Sequence, residues 1–373
     1  MQRTKTTKFV VAVLSLASMA VLTACGGGNS GQSAPSTTSS TVRVYGDSLA
    51  DSGTFGFKAT IQVTGNYIFP ERIAMQYGQT LCSYYAATGA DSFMVSPAAG
   101  CTSYAVAGGR ISNAALVNPT TNKKHIIGQM VDGSTKAFGA TELVIIDGGG
   151  NDAADLVGAF LAAQQGSTAS LMGLFMSQLT PTQLAAISLS NPATVLNAGN
   201  QYMVALADKF YDAVNTNVLS KGANRVMFAN IPDITLTPRF QMVLGSIKAS
   251  QGAATAQALQ AAFQGWVSAF NAEFAAKAAA ESRIAIVDIY SNFQDEVANP
   301  ARYTLSNVKD ASCPITGVGS DGLPTYNFPS CTAAAAASGW QSYLFADGFH
   351  PTPYGHQLAS QLISRTLAQK GWL

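Results

Sequence analysis

Four short runs of apolar, largely β-branched residues stand out along the chain: 41–45 (TVRVY), 142–147 (ELVIID), 225–230 (RVMFAN) and 284–288 (IAIVD). Each stops at a polar residue or a glycine, as a buried strand does where its loop begins. Between them the apolar period changes. Over 255–282, Leu259, Phe263, Trp266, Phe270 and Phe274 recur every three or four residues, which predicts a helix with one core-facing stripe. Those aromatics read as core rather than as a cofactor box. Residues 353–370 predict a closing helix with Leu358, Leu362, Ile363 and Leu367 on its inner face. The stretch 155–200, rich in Ala, Leu, Gln and Met, reads as a helical insertion. Strands alternating with helices imply a parallel sheet covered on both faces. The connections exceed a minimal βαβ unit, so they carry extra helices and loops. In such sheets, chemistry gathers at the carboxyl ends of the strands.

Composition bounds the reading. The chain has 373 residues, 47% hydrophobic and 11% charged, enough for a sizeable core and unlike a disordered chain. Its start departs from that average. Arg3, Lys5 and Lys8 precede an apolar stretch, 9–22, too short to span a bilayer comfortably, and Leu22-Thr23-Ala24-Cys25 follows. This resembles a bacterial lipoprotein processing site, at which the cysteine is lipidated; cleavage by the ordinary secretory peptidase is the alternative. Residues 1–25 are therefore expected to be a signal peptide ending at Cys25. Residues 26–40, nearly all Gly, Ser, Thr and Pro, read as a flexible linker, and 41–373 as one folded domain. Gly26 is not the Asp that retains lipoproteins at the inner membrane. The expected location is thus the outer membrane or cell surface, with a periplasmic or secreted protein as the alternative. Without Arg3, Lys5 and Lys8, the 21 basic residues fall to 18 against 20 acidic ones. A net charge near −2 argues against a nucleic-acid partner.

Removing Cys25 from the five cysteines leaves Cys82, Cys101, Cys313 and Cys331, which allow three pairings. Cys82–Cys101 and Cys313–Cys331 are each close in sequence, and two such local disulfides suit an exported protein. A metal site is the rival. No CxxC pair exists, and the three histidines are not spaced as ligands.

Unusual polar residues gather after the predicted strands: Gly46-Asp47-Ser48-Leu49, Asp147-Gly148-Gly149-Gly150-Asn151-Asp152 and Asp347-Gly348-Phe349-His350-Pro351, with Ala105-Val106-Ala107-Gly108-Gly109 between the first two. Singly, each has a plain reading as a turn or a helix cap. Together they supply the parts of an acyl-transfer site. Ser48 is a hydroxyl in a Gly-flanked turn, a weak nucleophile until a base takes its proton. His350 is the candidate base, and Asp347, three residues before it, is placed to fix its tautomer. His125 and His356 lack such an upstream carboxylate. Developing negative charge needs aimed donors, and the Ser48 and Gly108 N–H groups with the Asn151 amide suit that role. Asp47 and Asp152 read as loop-holding carboxylates rather than proton carriers. Ser52 is a second serine nearby.

In order, Gly46-Asp47-Ser48-Leu49, Gly108, Gly149-x-Asn151-Asp152 and Asp347-x-x-His350 resemble the four blocks of the GDSL or SGNH hydrolases. Ser103-Tyr-Ala-Val-Ala-Gly108 is similar to another family segment, with Ser103 and Ala107 departing from it. Asn230-Ile-Pro232 and Tyr343 to Thr352 are also similar, with Ala346 where Trp is frequent. The resemblance runs from about Val42 to the C-terminus and is greatest to secreted bacterial lipases, phospholipase-like haemolysins and plant GDSL lipases. It implies Ser48 as nucleophile, His350 as base, Asp347 as orienting acid, and Ser48, Gly108 and Asn151 as the oxyanion hole. It also implies a three-layer α/β/α sandwich on a mainly parallel five-stranded sheet, with no metal or organic cofactor. Ser52 matches no block position.

The expected activity is hydrolysis of small-molecule or lipid carboxylic esters. Phospholipase action, acyl transfer and glycan O-deacetylation use the same triad and stay open, as does a surface binding lipoprotein on an inactive scaffold. Phe55, Phe57, Tyr67, Phe69, Leu156, Phe160, Met172, Phe175 and Met176 read either as an acyl-chain groove or as core. The 155–200 insertion is a candidate cover.

Overall fold

The four apolar runs form the centre of the molecule. A computed structural model describes residues 41–112 and 122–373; the expected signal peptide 1–25, Cys25 and the linker 26–40 lie outside the described residues. In chain order, β1 (Val42–Tyr45), α1 (Phe69–Gln76), β2 (Tyr85–Ala87), β3 (Phe93–Val95), α2 (Ile126–Gly133) and β4 (Leu143–Ile146) come first. Four helices follow, α3 (Gly150–Gln164), α4 (Ala169–Gln178), α5 (Pro181–Ala185) and α6 (Pro192–Asn217), before β5 (Arg225–Ala229). Next are α7 (Pro238–Gln251), α8 (Ala253–Ala278), β6 (Ile284–Val287) and α9 (Ile289–Ala298). Short strands β7 (Asn307–Ala311), β8 (Ile315–Val318), β9 (Pro324–Tyr326) and β10 (Tyr343–Phe345) lead to α10 (Pro353–Gln369).

The main sheet is parallel, in the order β1-β4-β5-β6. Successive side chains leave opposite faces of a strand, and here both faces are core. Tyr45, Val144, Ile146, Val226 and Phe228 pack on one side with α2, α3, α6 and α8. Val42, Val44, Leu143, Ile145 and Met227 pack on the other with α1 and α10. The result is the three-layer α/β/α arrangement.

Four strands are regular, where five were expected. Residues 102–106 run along the free edge of β1. Val44 N–H donates to the Thr102 carbonyl at 3.0 Å, Tyr104 N–H to Val44 at 2.8 Å, and Val106 N–H to Gly46 at 3.1 Å. With β1 this segment pairs through one isolated bridge, Val44 to Ser103, and Ser103 bridges Ser83 on its other side. It is tied at its start by the Cys82–Cys101 disulfide and turned at its end by Gly108 in the left-handed region (φ 79°), so no ladder propagates. The second disulfide, Cys313–Cys331, spans the antiparallel pair β8–β9.

The predicted helices form close to their expected limits. In α8, which begins behind Gly252, Phe263, Trp266, Phe270 and Phe274 are fully buried and Leu259 packs at the margin. Thr352 caps α10 by accepting the Gly355 N–H, with Pro353 at the first helical position, where its missing N–H costs nothing. Residues 155–200 are helical, but Leu171, Leu174, Phe175 and Val195 face the core.

Candidate active site

The loops at the carboxyl end of the sheet bring the separated motifs together. Ser48 lies in the turn after β1, Asn151 in the first turn of α3, and Asp347 and His350 between β10 and α10. His350 Nε2 is 2.8 Å from Ser48 Oγ, and His350 Nδ1 is 2.9 Å from both Asp347 oxygens. Asp347 Oδ1 also accepts the backbone N–H groups of Phe349 (2.8 Å) and His350 (2.7 Å), so the carboxylate and ring are fixed by the loop that carries them. The Ala346 N–H donates to the His350 carbonyl at 2.7 Å, and the Phe328 ring meets the imidazole edge-on at 5.3 Å.

Burial opposes charge on His350, but the charge and hydrogen bond of Asp347, with the charge of Asp47, outweigh it and raise its pKa above the ordinary value. Burial pushes the other way on Asp347, and the charge and hydrogen bond of His350, with the backbone donors, hold its carboxyl below the usual range. The other two histidines are different. Burial, aided by the Lys209 charge, pushes His125 down to about 4, and its ring accepts the Gly128 N–H as a helix cap. His356 is buried in α10 and pushed down to about 3. Ser52 Oγ is buried without a hydrogen-bond partner among the described residues.

The turn that presents Ser48 is built from buried polar contacts. Gln129, fully buried in α2, accepts the Gly46 N–H at 2.9 Å and donates to the Gly46 carbonyl at 3.0 Å. Asp147 Oδ1 accepts the Asp47 N–H at 3.2 Å, and Asp47 Oδ1 that of Leu49 at 3.0 Å. Burial, and the neighbouring Asp47 charge after it, push the Asp147 carboxyl well above the usual range. Asp51 accepts from Gly53, Thr54 and Ala107 N–H, tying this turn to the Gly108 loop. Asp152 accepts from Ile111 and Ser112 N–H on the far side of that loop, and burial pushes it up to about 6. Asp47 and Asp152 are thus loop-holding groups in this geometry.

The three expected donors are not equivalent. The N–H groups of Ser48 and Gly108 donate to no other described residue. Asn151 Nδ2 donates to the Gly109 carbonyl at 2.9 Å and lies 3.4 Å from Asp47 Oδ2, so a bound oxygen would compete for its second hydrogen.

A cavity of about 160 Å³ opens at Ser48, lined by Leu49, Asn151, Ile231, Pro232 and Phe349 near the hydroxyl and continuing beneath α9 and α10. Of the nine expected groove residues, only Phe69 lines it. Leu156, Phe160 and Phe175 are core, while Tyr67 and Met176 are exposed. Residues 155–200 contribute nothing to its lining, because their apolar side chains are used in the core. Gln129, Asp51 and Asp147 have structural roles that were not foreseen. Gln129 carried one signal: it lies between Ile126 and Met130 on the core face of a short apolar helix.

The family model described as GDSL-like Lipase/Acylhydrolase matches residues 42–363. No curated protein matches the sequence.

Proposed function

The chain belongs to the GDSL-like lipase/acylhydrolase family of hydrolases, and from that premise we propose that it cleaves carboxylic esters through an acyl-enzyme on Ser48. The observation that carries the reading is the unbroken chain Asp347–His350–Ser48 at the mouth of a largely apolar cavity, beside two backbone donors that engage no other described residue. His350 Nε2 takes the Ser48 proton as Oγ bonds to the ester carbonyl carbon, and the carbonyl electron pair moves onto oxygen. The Ser48 and Gly108 N–H groups receive that oxyanion, with Asn151 once its second hydrogen turns from Asp47. Collapse breaks the bond to the alcohol, which leaves with the proton from His350. Water then repeats the sequence, releasing the acid and restoring Ser48. Every proton moves between groups of this chain and the reactants.

A series of p-nitrophenyl esters from acetyl to palmitoyl tests this. Ser48→Ala and His350→Ala are expected to lower kcat by roughly 10⁴-fold or more with an unchanged thermal midpoint. Wild-type-like turnover in either variant excludes the assignment. A competing alcohol acceptor in the same assay separates hydrolysis from acyl transfer by its ester product.

We further propose export and anchoring to a membrane through a lipid on Cys25, at the outer membrane or cell surface. The basic start, the apolar stretch 9–22 and Leu22-Thr23-Ala24-Cys25 support it. Cells fed labelled palmitate are expected to label the protein but not Cys25→Ser; equal labelling of both contradicts the proposal.

A further inference from the structure

The cavity at Ser48 carries polar groups that ester cleavage does not use. Its inner arm passes between the ends of β5 and β6 and the helices α9 and α10, among Ala229, Ile289, Phe293, Leu344 and Ile363. Two titratable side chains interrupt this apolar lining, and both are more than nine-tenths buried. Glu296 of α9 is 5% exposed and His356 of α10 is 1% exposed. Glu296 Oε1 accepts from Asn292 Nδ2 at 2.6 Å, and its second oxygen bonds no other described residue. His356 Nδ1 accepts the Phe69 N–H at 3.4 Å, which leaves the ring proton on Nε2, buried and without a partner among the described residues.

Buried polar atoms are ordinarily paired, because an unmet donor or acceptor forfeits its hydration for nothing. The bond to Asn292 is a contact within α9 and uses one carboxyl oxygen. It does not require the carboxyl to line a cavity that reaches Ser48. Burial pushes Glu296 up to about 7, so near neutral pH it is present both as acid and as carboxylate, and can donate or accept. His356, held neutral by burial, offers a donor. A hydroxyl meets both kinds of group, since it donates once and accepts twice. A cationic substituent would have to lose its hydration in an arm whose remaining lining is apolar, so a neutral group fits better.

We propose that Glu296 is a specificity-determining residue: the inner arm receives an acyl chain bearing a hydroxyl, which hydrogen-bonds to the free Glu296 oxygen, with His356 Nε2 as a further donor. The acyl side is chosen because the acyl group stays bonded to Ser48 through the intermediate, whereas the alcohol departs and water enters. An arm bounded by core residues suits the part that stays. The inference rests on Ser48 as the nucleophile.

The test compares p-nitrophenyl esters of straight-chain acids with their ω-hydroxy and ω-methoxy counterparts, from short to medium chain length. A site built around a substrate hydroxyl discriminates strongly against the analogue lacking it. At the chain length that reaches Glu296, the wild type is expected to favour the hydroxy ester over the plain one by at least about tenfold in kcat/KM. The methoxy ester, which keeps the oxygen but loses the donor, is expected to fall most of the way back, a readout that needs no variant. In Glu296→Leu the hydroxy-to-plain ratio is expected to collapse to near one, and in Glu296→Gln most of it to remain. Hydrolysis of plain esters with no hydroxyl preference at any length, equal rates for hydroxy and methoxy esters, or an unchanged ratio in Glu296→Leu overturns this inference alone. Failure to hydrolyse any ester overturns the nucleophile assignment and this inference with it.

Discussion

A Cβ on Gly46 would lie 1.4 Å from Asp147 Oδ1, and one on Gly109 2.8 Å from the Gly46 carbonyl oxygen. The turn that carries Ser48 is pressed that closely between two other loops, which is why glycine occupies both positions. Close approach also sets the charges. Asp347 raises the His350 pKa, and a base must be neutral to accept the Ser48 proton. Activity is therefore expected to fall as pH drops through a value above the ordinary histidine pKa of about 6.5. In Asp347→Asn the charge that raises His350 is gone, so the acid limb of kcat/KM is expected to move to lower pH while kcat falls by about 10⁴-fold. A pH–rate profile of the two proteins checks both; an unmoved limb would mean that Asp347 does not set the His350 charge. At this scale the candidate triad was legible, since Ser48, Asp347 and His350 each stand in a distinctive short motif. Gln129, Asp51 and Asp147 were not, because their roles depend on backbone groups that are distant in sequence.

Among the elements, the four strands of the sheet were legible because they are buried on both faces and so read as largely apolar runs, interrupted in β1 by Arg43, which is buried against Glu142. The strand pairs β2–β3, β8–β9 and β7–β10 gave no such signal, being short and partly exposed. Residues 102–106 were illegible for another reason: they follow β1 through single hydrogen bonds and one isolated bridge, without forming a ladder. The aromatic stripe of α8 was legible as core from its three-to-four-residue spacing, and its partner is a glycine. Gly199 of α6 lies where a Cβ would be 2.3 Å from Trp266 Cε2. Trp266 is buried and its Nε1 donates to the Leu196 carbonyl at 2.9 Å, so it has little freedom to yield. Alanine would gain about 1 kcal/mol in helix propensity, against a cost of roughly 1–3 kcal/mol or more for overpacking. With a ring this constrained, the second effect wins. Gly199→Ala is expected to lower stability by about 1–2 kcal/mol in a denaturant titration, with the per-molecule activity of folded protein unchanged. A stabilised variant would show that α6 and α8 are not packed this closely.

For the molecule as a whole, the order of the motifs was more informative than any one of them. Ser48, Gly108 and His350 come from three separate loops and Asn151 from the first turn of α3; β1 and β4 of the parallel sheet deliver Ser48 and Asn151 to one end, and the loops that carry Gly108 and His350 meet them there. What lies beneath that end was hidden. The cavity is lined by residues after β5, at the start of α9 and in α10, whose sequence neighbourhoods look like ordinary core. Apolar patterning does not separate a wall facing empty space from one facing another side chain. The central claim, that Ser48 is a nucleophile activated by His350, is tested most directly by treating folded protein with a fluorophosphonate and locating the adduct by peptide mass spectrometry. The expected result is a single adduct on Ser48, formed rapidly in the wild type and slowed by orders of magnitude in His350→Ala. An unlabelled Ser48, an adduct on another serine, or equal rates in the two proteins would contradict it.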